Sequence, residues 1–410
     1  MKKNLDGLFL FPQQWVDVEA RRFAATARQW ADKEIISRRL DYQKDYDTLF
    51  TLMRKKLMDD IGFERLVLPE ENGGYGWNSP ASAPGILTVF TEIGRADAAI
   101  GFTAAVKYAI FAVISMKPNI DKDLCDKLAP LYCGDTLKNI ALILPSAGSA
   151  GTDTPLFHGR SIGASLRPSG DGFILNGSAL RPVGPGYDAD LFGIVAADTG
   201  GKTCLAFIPA DLKGVIKDHP IKTTGLNGFK NTDVTFKDVR IPGSLVVMRN
   251  SAINELYCWL NLLLGGTSLG ATMNFFEILS DWSENRTIKG SSIMKDNPLC
   301  ASVLAAVADE IACVRLNAYS LAHIMASSED IGGPDVYTFA QMLGSRIQQS
   351  CMNAINRGME LMGSAGYSKE WHVEKHWRDI KTIQSYLCGT GSDVPVKMDI
   401  ARFFFDLKEV

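Results

Sequence analysis

Three short stretches of this chain combine residue types that could do chemistry. Pro145-Ser146-Ala147-Gly148-Ser149-Ala150-Gly151 follows Ile140-Ala141-Leu142-Ile143-Leu144, an apolar run of strand length. Glycines there let the backbone approach a ligand closely, and backbone N–H groups with serine hydroxyls can hydrogen-bond a ring or a phosphate. A plain turn has the same composition. Glu360-Leu361-Met362-Gly363-Ser364-Ala365-Gly366-Tyr367 closes a long helical pattern, where Gly363 and Gly366 also suit ordinary helix C-caps. Tyr386-Leu387-Cys388-Gly389-Thr390-Gly391 breaks the pattern before the last helix. Cys388 would be a nucleophile only beside a base or a helix N-terminus; without one, inert packing is expected.

Other reactive templates fall short. His372 and His376 stand four residues apart, which places both rings on one helix face. They lack the glutamate of a metal-binding HExxH helix, so core-satisfied or solvated histidines are expected, and no metal. Asp309 and Glu310 sit in mid-helix and read as a solvated turn. There is no GxSxG elbow, no P-loop and no GxGxxG after a strand. The eight cysteines (125, 133, 204, 258, 300, 313, 351 and 388) form no CxxC and no Cys/His cluster, which argues against a disulfide scaffold or structural zinc and fits a reducing cytoplasm.

The elements that must position these stretches fall into three zones. From about 13 to 136 the apolar spacing is helical: Val16, Phe23, Ala27 and Trp30, then Leu49, Leu52, Met53 and Leu57. The loop 66–76, with its Pro and paired Gly, interrupts it, and a helical hairpin is expected at 84–96 and 100–115. From 137 to 247 strand-length runs take over, at 140–144, 172–177, 191–196, 204–208 and 234–236. From 250 to 406 long helices return, with apolar stripes Val303/Val307/Ile311/Val314 and Phe339/Met342/Leu343/Ile347.

The 410 residues, at about 100–200 per domain, make two or three packed units. Hydrophobic residues are 46% and charged residues 22%, as in globular proteins. With 43 Lys+Arg against 46 Asp+Glu, a net charge of −3 argues against a nucleic-acid partner. MKKNLDGLFLFPQQW makes a poor secretory signal, and no stretch of about 18 uncharged apolar residues predicts a membrane span.

In this order and spacing, the pieces resemble the acyl-CoA dehydrogenase family over nearly the whole chain. Leu68-Pro69-Glu70-Glu71-Asn72-Gly73-Gly74-Tyr75-Gly76 looks like its "PEExGGxG" loop, and Phe173-Ile174-Leu175-Asn176-Gly177 like its "Y-x-L-N-G" hairpin. Gly225 to Pro242, containing Val234-Thr235-Phe236-Lys237-Asp238-Val239, is similar to "G…VxFxDVxVP"; Arg286 with Gly290 is similar to "RxxFG". Gly363-Ser364-Ala365-Gly366-Tyr367, Glu374-Lys375 and Arg378-Asp379 resemble "GGxGY…EK…RD", and Tyr386 with Gly389-Thr390 resembles "YEGT".

The resemblance implies an α+β architecture: an N-terminal helical domain (1–136), a central β domain (137–248) and a C-terminal four-helix bundle (249–410). It implies FAD between the last two, with a neighbouring subunit often completing the pocket, and Leu142, Ile143, Gly148, Ser149, Arg181, Val183, Arg286, Glu360, Gly363 and Thr390 as its contacts. Ser149, Phe102, Tyr386 and Gly389 would meet an acyl-CoA. An electron-transfer flavoprotein would exchange electrons with the chain. The assembly would be a homo-oligomer (dimer or tetramer) or a hetero-oligomer with a paralogue.

Several family positions depart. The glutamate of "YEGT" is absent, since Leu387-Cys388 follow Tyr386; the family's second location for the base falls near Leu260, with no acidic residue. The flavin loop "TEPxAGSD" reads Ile143 to Ala150 without its Thr, Glu and Asp; "K-x-W-I-T" reads Ala179-Leu180-Arg181-Pro182-Val183; the aromatic of "RxxFG" is Lys289 and the Gln before the glycines is Glu360. The catalytic base is therefore unassigned, with Asp97, Glu255, Tyr386 and Cys388 as candidates. Three readings follow: an acyl-CoA oxidoreductase, working by α,β-dehydrogenation or its reverse with a relocated base; a non-catalytic subunit of a heteromeric dehydrogenase; or a flavin monooxygenase that takes no α-proton.

Overall fold

A computed structural model describes residues 13–134, 136–146, 154–288, 292–387 and 390–405. Helix α1 (Val18–Trp30) begins where Asp17 accepts a hydrogen bond from the Ala20 amide at 2.7 Å, and it buries Ala20, Ala24, Ala27 and Trp30. Short helices α2 (Arg39–Lys44) and α3 (Tyr46–Lys55) follow; in α3, Phe50 and Met53 face the core, while Leu52, expected there, is exposed. The expected hairpin is α4 (Ala83–Ala96) and α5 (Ala98–Ser115). Asp97 divides them: its backbone is extended and its carboxylate accepts from the Ala99 and Ile100 amides, capping α5. Helix α6 (Lys122–Tyr132) leads into the sheet.

The strands are β1 (Ile140–Ile143), β2 (Leu156–Phe157), β3 (Arg160–Ser161), β4 (Ala164–Ser169), β5 (Gly172–Leu180), β6 (Leu191–Asp198), β7 (Thr203–Pro209), β8 (Val215–Lys217), β9 (Val234–Pro242) and β10 (Val246–Val247). Strand order is β10-β7-β6-β4-β5-β9-β8, and β1 pairs in parallel with β6, Ile140 opposite Leu191 and Ile143 opposite Ile194. Strands β2 and β3 form a separate small hairpin. The Phe173–Gly177 motif is mid-strand, paired on both sides, and the chain reverses before it at Gly170, which has φ +63°.

Four long helices close the chain: α7 (Ala252–Asn285), α8 (Pro298–Ala326), α9 (Pro334–Met362) and α10 (Val373–Leu387), followed by α11 (Thr390–Phe405). Among the described residues two helices, α5 and α7, are as long and apolar as a membrane span, although no such stretch was expected. Their apolar windows are 100% and 94% buried inside the protein, as core helices. At Gly270 on α7 a Cβ would overlap the Thr91 carbonyl of α4, so this close crossing requires glycine.

Helix α9 departs from its expected stripe. Of that stripe Ile347 is fully buried, while Phe339, Met342 and Leu343 are half-buried; the core face also carries Tyr337, Gln341, Gly344 and Gln348. It packs on polar positions of α7: Asn261 Nδ2 donates to Gln341 Oε1 at 3.4 Å and Ser268 Oγ to Gln348 Oε1 at 2.9 Å. The sequence offset is the same at both rungs, so α7 and α9 run parallel. Gly344 leaves room for the Asn261 side chain.

Candidate active site

A cavity of about 230 Å³ lies between the sheet and the helical bundle. Leu144, Pro145 and Ser146 reach it from the end of β1, Arg181 and Val183 from beyond β5, and Arg160 from the small hairpin. Tyr257 of α7, Gln341 of α9, and Ser385, Tyr386 and Leu387 of α10 complete the wall. Leu142 and Val183 exchange backbone hydrogen bonds at 2.9 and 2.6 Å, which pins β1 to the Arg181–Val183 segment.

Among the described lining residues none is a carboxylate. Two carboxylates stand behind the arginines. Arg181, at the rim, makes a two-point pair with Asp233 at 2.8 Å for both contacts. Arg160, 5% exposed, contacts Asp399 Oδ2 at 2.9 Å, and Tyr337 donates to the same oxygen at 3.0 Å. The Tyr257 hydroxyl is pushed up to about 12 by burial, against the pull of Arg160. Gln341 is 3% exposed; its Nε2, near the Tyr337 hydroxyl, meets no partner at hydrogen-bonding geometry.

Tyr386 is held from two sides. Asn231 Nδ2 donates to its hydroxyl oxygen at 3.2 Å and to the Pro182 carbonyl at 2.8 Å. With Asn231 as donor, the phenol's own proton is left to point elsewhere. Burial raises its pKa, while the Asn231 hydrogen bond and the Arg181 charge lower it; the net direction is upward. Phe102, fully buried on α5, lies with its ring centroid 5.4 Å from Tyr386 and stacks on Phe229 at 5.6 Å. These rings fill the space behind Tyr386.

The structure thus brings Arg181, Val183 and Tyr386 together, with Leu142 and Ile143 on the adjoining strand and Phe102 behind. It sets Arg286, Glu360 and Gly363 apart. Arg286 caps the far end of α7, its guanidinium 5.4 Å from the Trp282 ring centre, while exposed Glu360 and Gly363, with φ +61°, end α9. Tyr257 and Arg286 are separated by about 43 Å at 1.5 Å per helical residue. Thr390 begins α11; Gly148, Ser149, Cys388 and Gly389 lie outside the described residues.

Two candidate bases are occupied elsewhere. Asp97 caps α5, accepts from Tyr46 at 3.2 Å and pairs with Lys375 at 2.9 Å, which also meets Asp379 at 2.5 Å. Glu255 lies 2.7 Å from Arg249, whose other amino group donates to Ser251, and it does not line the cavity. Burial pushes Glu255 up to about 7 despite that cation. His376 is buried against Asn274 at 3.2 Å, and burial holds both His372 and His376 well below the ordinary range, so each is neutral. Among the described residues no group of His, Cys, Asp and Glu could hold a metal, and no disulfide joins the seven described cysteines.

Sequence reasoning missed Arg160, Tyr257 and Gln341. Matched seven-residue spacing of polar residues on two helices, Asn261/Ser268 and Gln341/Gln348, was the available signal.

With fold and cavity in view, the comparisons assign the class. Residues 17–117 match the acyl-CoA dehydrogenase N-terminal domain and residues 260–402 the C-terminal domain. The chain belongs to the acyl-CoA dehydrogenase family, flavoprotein oxidoreductases acting on CH–CH groups. Cyclohex-1-ene-1-carbonyl-CoA dehydrogenase of Syntrophus aciditrophicus is 22% identical over 400 residues, covering 94% of this chain and 89% of its own. The 3-(aryl)acrylate reductase of Clostridium sporogenes is 22% identical over 374 residues, 88% of this chain and 92% of its own. The structure of acyl-CoA dehydrogenase from Geobacillus kaustophilus superposes with a TM-score of 0.77 at 19% identity, covering 95% and 99% of the two chains.

The donor set fits the family's FAD. Arg160, Arg181, Tyr257 and the unpartnered Gln341 Nε2 present N–H and O–H groups, and no described carboxylate lines the wall to repel a ring edge rich in acceptors. The volume is below the ~300–1,000 Å³ usual for a whole ligand, so it suits one ring-sized group rather than a dinucleotide.

Proposed function

We propose that this chain is an FAD-dependent acyl-CoA oxidoreductase acting across the α and β carbons of a thioester, with Tyr386 as its proton-handling group. One observation carries the reading: Tyr386, of the described candidates for proton transfer, faces the cavity that Val183 and Arg181 also line. A phenol whose pKa is raised stays protonated at neutral pH and acts as an acid, not a base. The chain's own groups therefore favour delivery of a proton to the α carbon, the direction that saturates an enoyl thioester. FAD, when bound, supplies the two-electron hydride exchange at the β carbon. Asn231 fixes the phenol, and the Phe102–Phe229 stack keeps water from behind it. The name of the 3-(aryl)acrylate reductase supports this direction.

Domains 1–136, 137–248 and 249–410 would build the site. Because Tyr257 and Arg286, towards opposite ends of α7, are about 43 Å apart, Arg286, Glu360 and Gly363 would meet the cofactor of a second subunit, making the protein an oligomer. An electron-transfer flavoprotein is the proposed redox partner.

The test is an anaerobic spectrum of the purified chain, reduced chemically and then mixed with enoyl-CoAs. One flavin per chain, reoxidised by an enoyl-CoA, with Tyr386→Phe slowing that phase by about 10²–10⁴-fold, is the expected result. No flavin, even with added FAD, would refute it and favour the non-catalytic subunit.

A further inference from the structure

The carboxylate behind Arg160 is shared. Asp399 Oδ2 meets Arg160 at 2.9 Å, and Asp399 Oδ1 meets Arg402 at 3.3 Å. His158, which stacks on Tyr337 and contacts Asn254 at 3.2 Å, has its pKa lowered, mainly by burial, and is neutral. Among the described residues, two guanidinium groups thus face one carboxylate, a surplus of one positive charge behind the Arg160 wall of the cavity. Arg181 adds nothing to that surplus because Asp233 neutralises it. Two buried donors are also left over: among the described residues, Gln341 Nε2 and Arg402 Nε meet no hydrogen-bond partner.

Leaving buried donors unmade costs about 1–3 kcal/mol each, more where charge is involved. At the cavity wall, a ligand that accepts from Gln341 Nε2 would remove that cost. The missing partner must bring acceptors and one negative charge, and it must be planar to meet a guanidinium edge and an amide together.

We propose that the Arg160–Gln341 end of the cavity is a subsite for a planar anionic acceptor, charged by Arg402 and tuned by Asp399. The inference rests on the oxidoreductase reading and deepens it. Two sources carry this chemistry: a carboxylate on the acyl group, or the acceptor edge of the flavin ring, which is anionic when reduced. Arg160 and Gln341 are the contact groups; Asp399 and Arg402 are positioning residues that set the local charge.

The experiment compares glutaryl-CoA with pentanoyl-CoA, an equally long acyl group without the charge. Binding is read by calorimetry, and the two-electron potential of the bound flavin by spectroelectrochemistry. Gln341→Leu removes a donor without breaking an ion pair. Arg402→Gln and Asp399→Asn change the local charge in opposite directions. If the acyl group is the source, glutaryl-CoA binds tighter, and Gln341→Leu reduces its affinity by about 10- to 100-fold. Arg402→Gln then weakens it and Asp399→Asn strengthens it. If the ring is the source, the two thioesters bind alike, while Arg402→Gln lowers and Asp399→Asn raises the potential. Opposite signs exclude a merely structural role, since damage to the fold moves both variants the same way. Equal binding with an unmoved potential overturns the subsite. Absence of flavin and of any thioester binding refutes the oxidoreductase reading itself and takes the subsite with it.

Discussion

Replacing Glu255 by Gln should stabilise the protein at neutral and higher pH. The carboxyl is 3% exposed, and burial lifts its pKa from 4.5 to about 7 although Arg249 is 2.7 Å away. Burial is the larger effect, so the cation offsets desolvation only in part. As pH rises from 4.5 the unfolded chain releases this proton before the folded one does. The folded state then binds more protons, and its stability falls until pH passes about 7. A rise of about 2.5 pKa units corresponds to about 3 kcal/mol lost between pH 4.5 and 7.5, at about 1.4 kcal/mol per unit. Gln mimics the protonated acid, so the variant matches the native chain at pH 4.5 and exceeds it by up to about 3 kcal/mol at pH 8. Urea denaturation at half-unit pH steps measures both. Parallel curves for the two proteins across that window would refute the argument, because other carboxylates titrate equally in each.

Lys375→Met leaves Asp97 and Asp379 buried without their shared cation, and it should cost about 3–5 kcal/mol in a denaturant melt. Phe102→Ala should cost about 3–5 kcal/mol in the same measurement. It also opens space behind Tyr386, so thioester binding should shift towards longer acyl chains in a calorimetric series.

Where neighbours in sequence are neighbours in space, the structure was legible from residues alone. The helical hairpin at 84–96 and 100–115 appears as α4 and α5, divided by a single capping aspartate. The apolar runs at 140, 191, 204 and 234 are all strands, because a buried strand is a short uninterrupted apolar segment. Reading was incomplete on α9, where polar and small residues, Gln341, Gly344 and Gln348, share the core face with apolar ones such as Ile347. The apolar stripe left out Gln341 and Gln348, which are buried because they find partners on α7, and propensity cannot see those partners. The cavity shows the same division. Arg181, Val183 and Tyr386 sit in family motifs and were legible; Arg160, Tyr257 and Gln341 come from three distant segments that only folding unites. Asp97 and Glu255 were attractive bases for their charge alone, and burial beside Lys375 and Arg249 consumes each.

The rungs between α7 and α9 also act as a ruler. Apolar helices can slide past one another by a turn, about 5.4 Å, with little loss of contact. Here Asn261 and Ser268 would lose both amides at once, leaving four buried polar side chains to find partners elsewhere. The upper rung is the same glutamine whose free amide enters the cavity. Interhelical register and the depth of that amide are therefore one variable, and mutations far down the bundle that shift the register would retune the site without touching it.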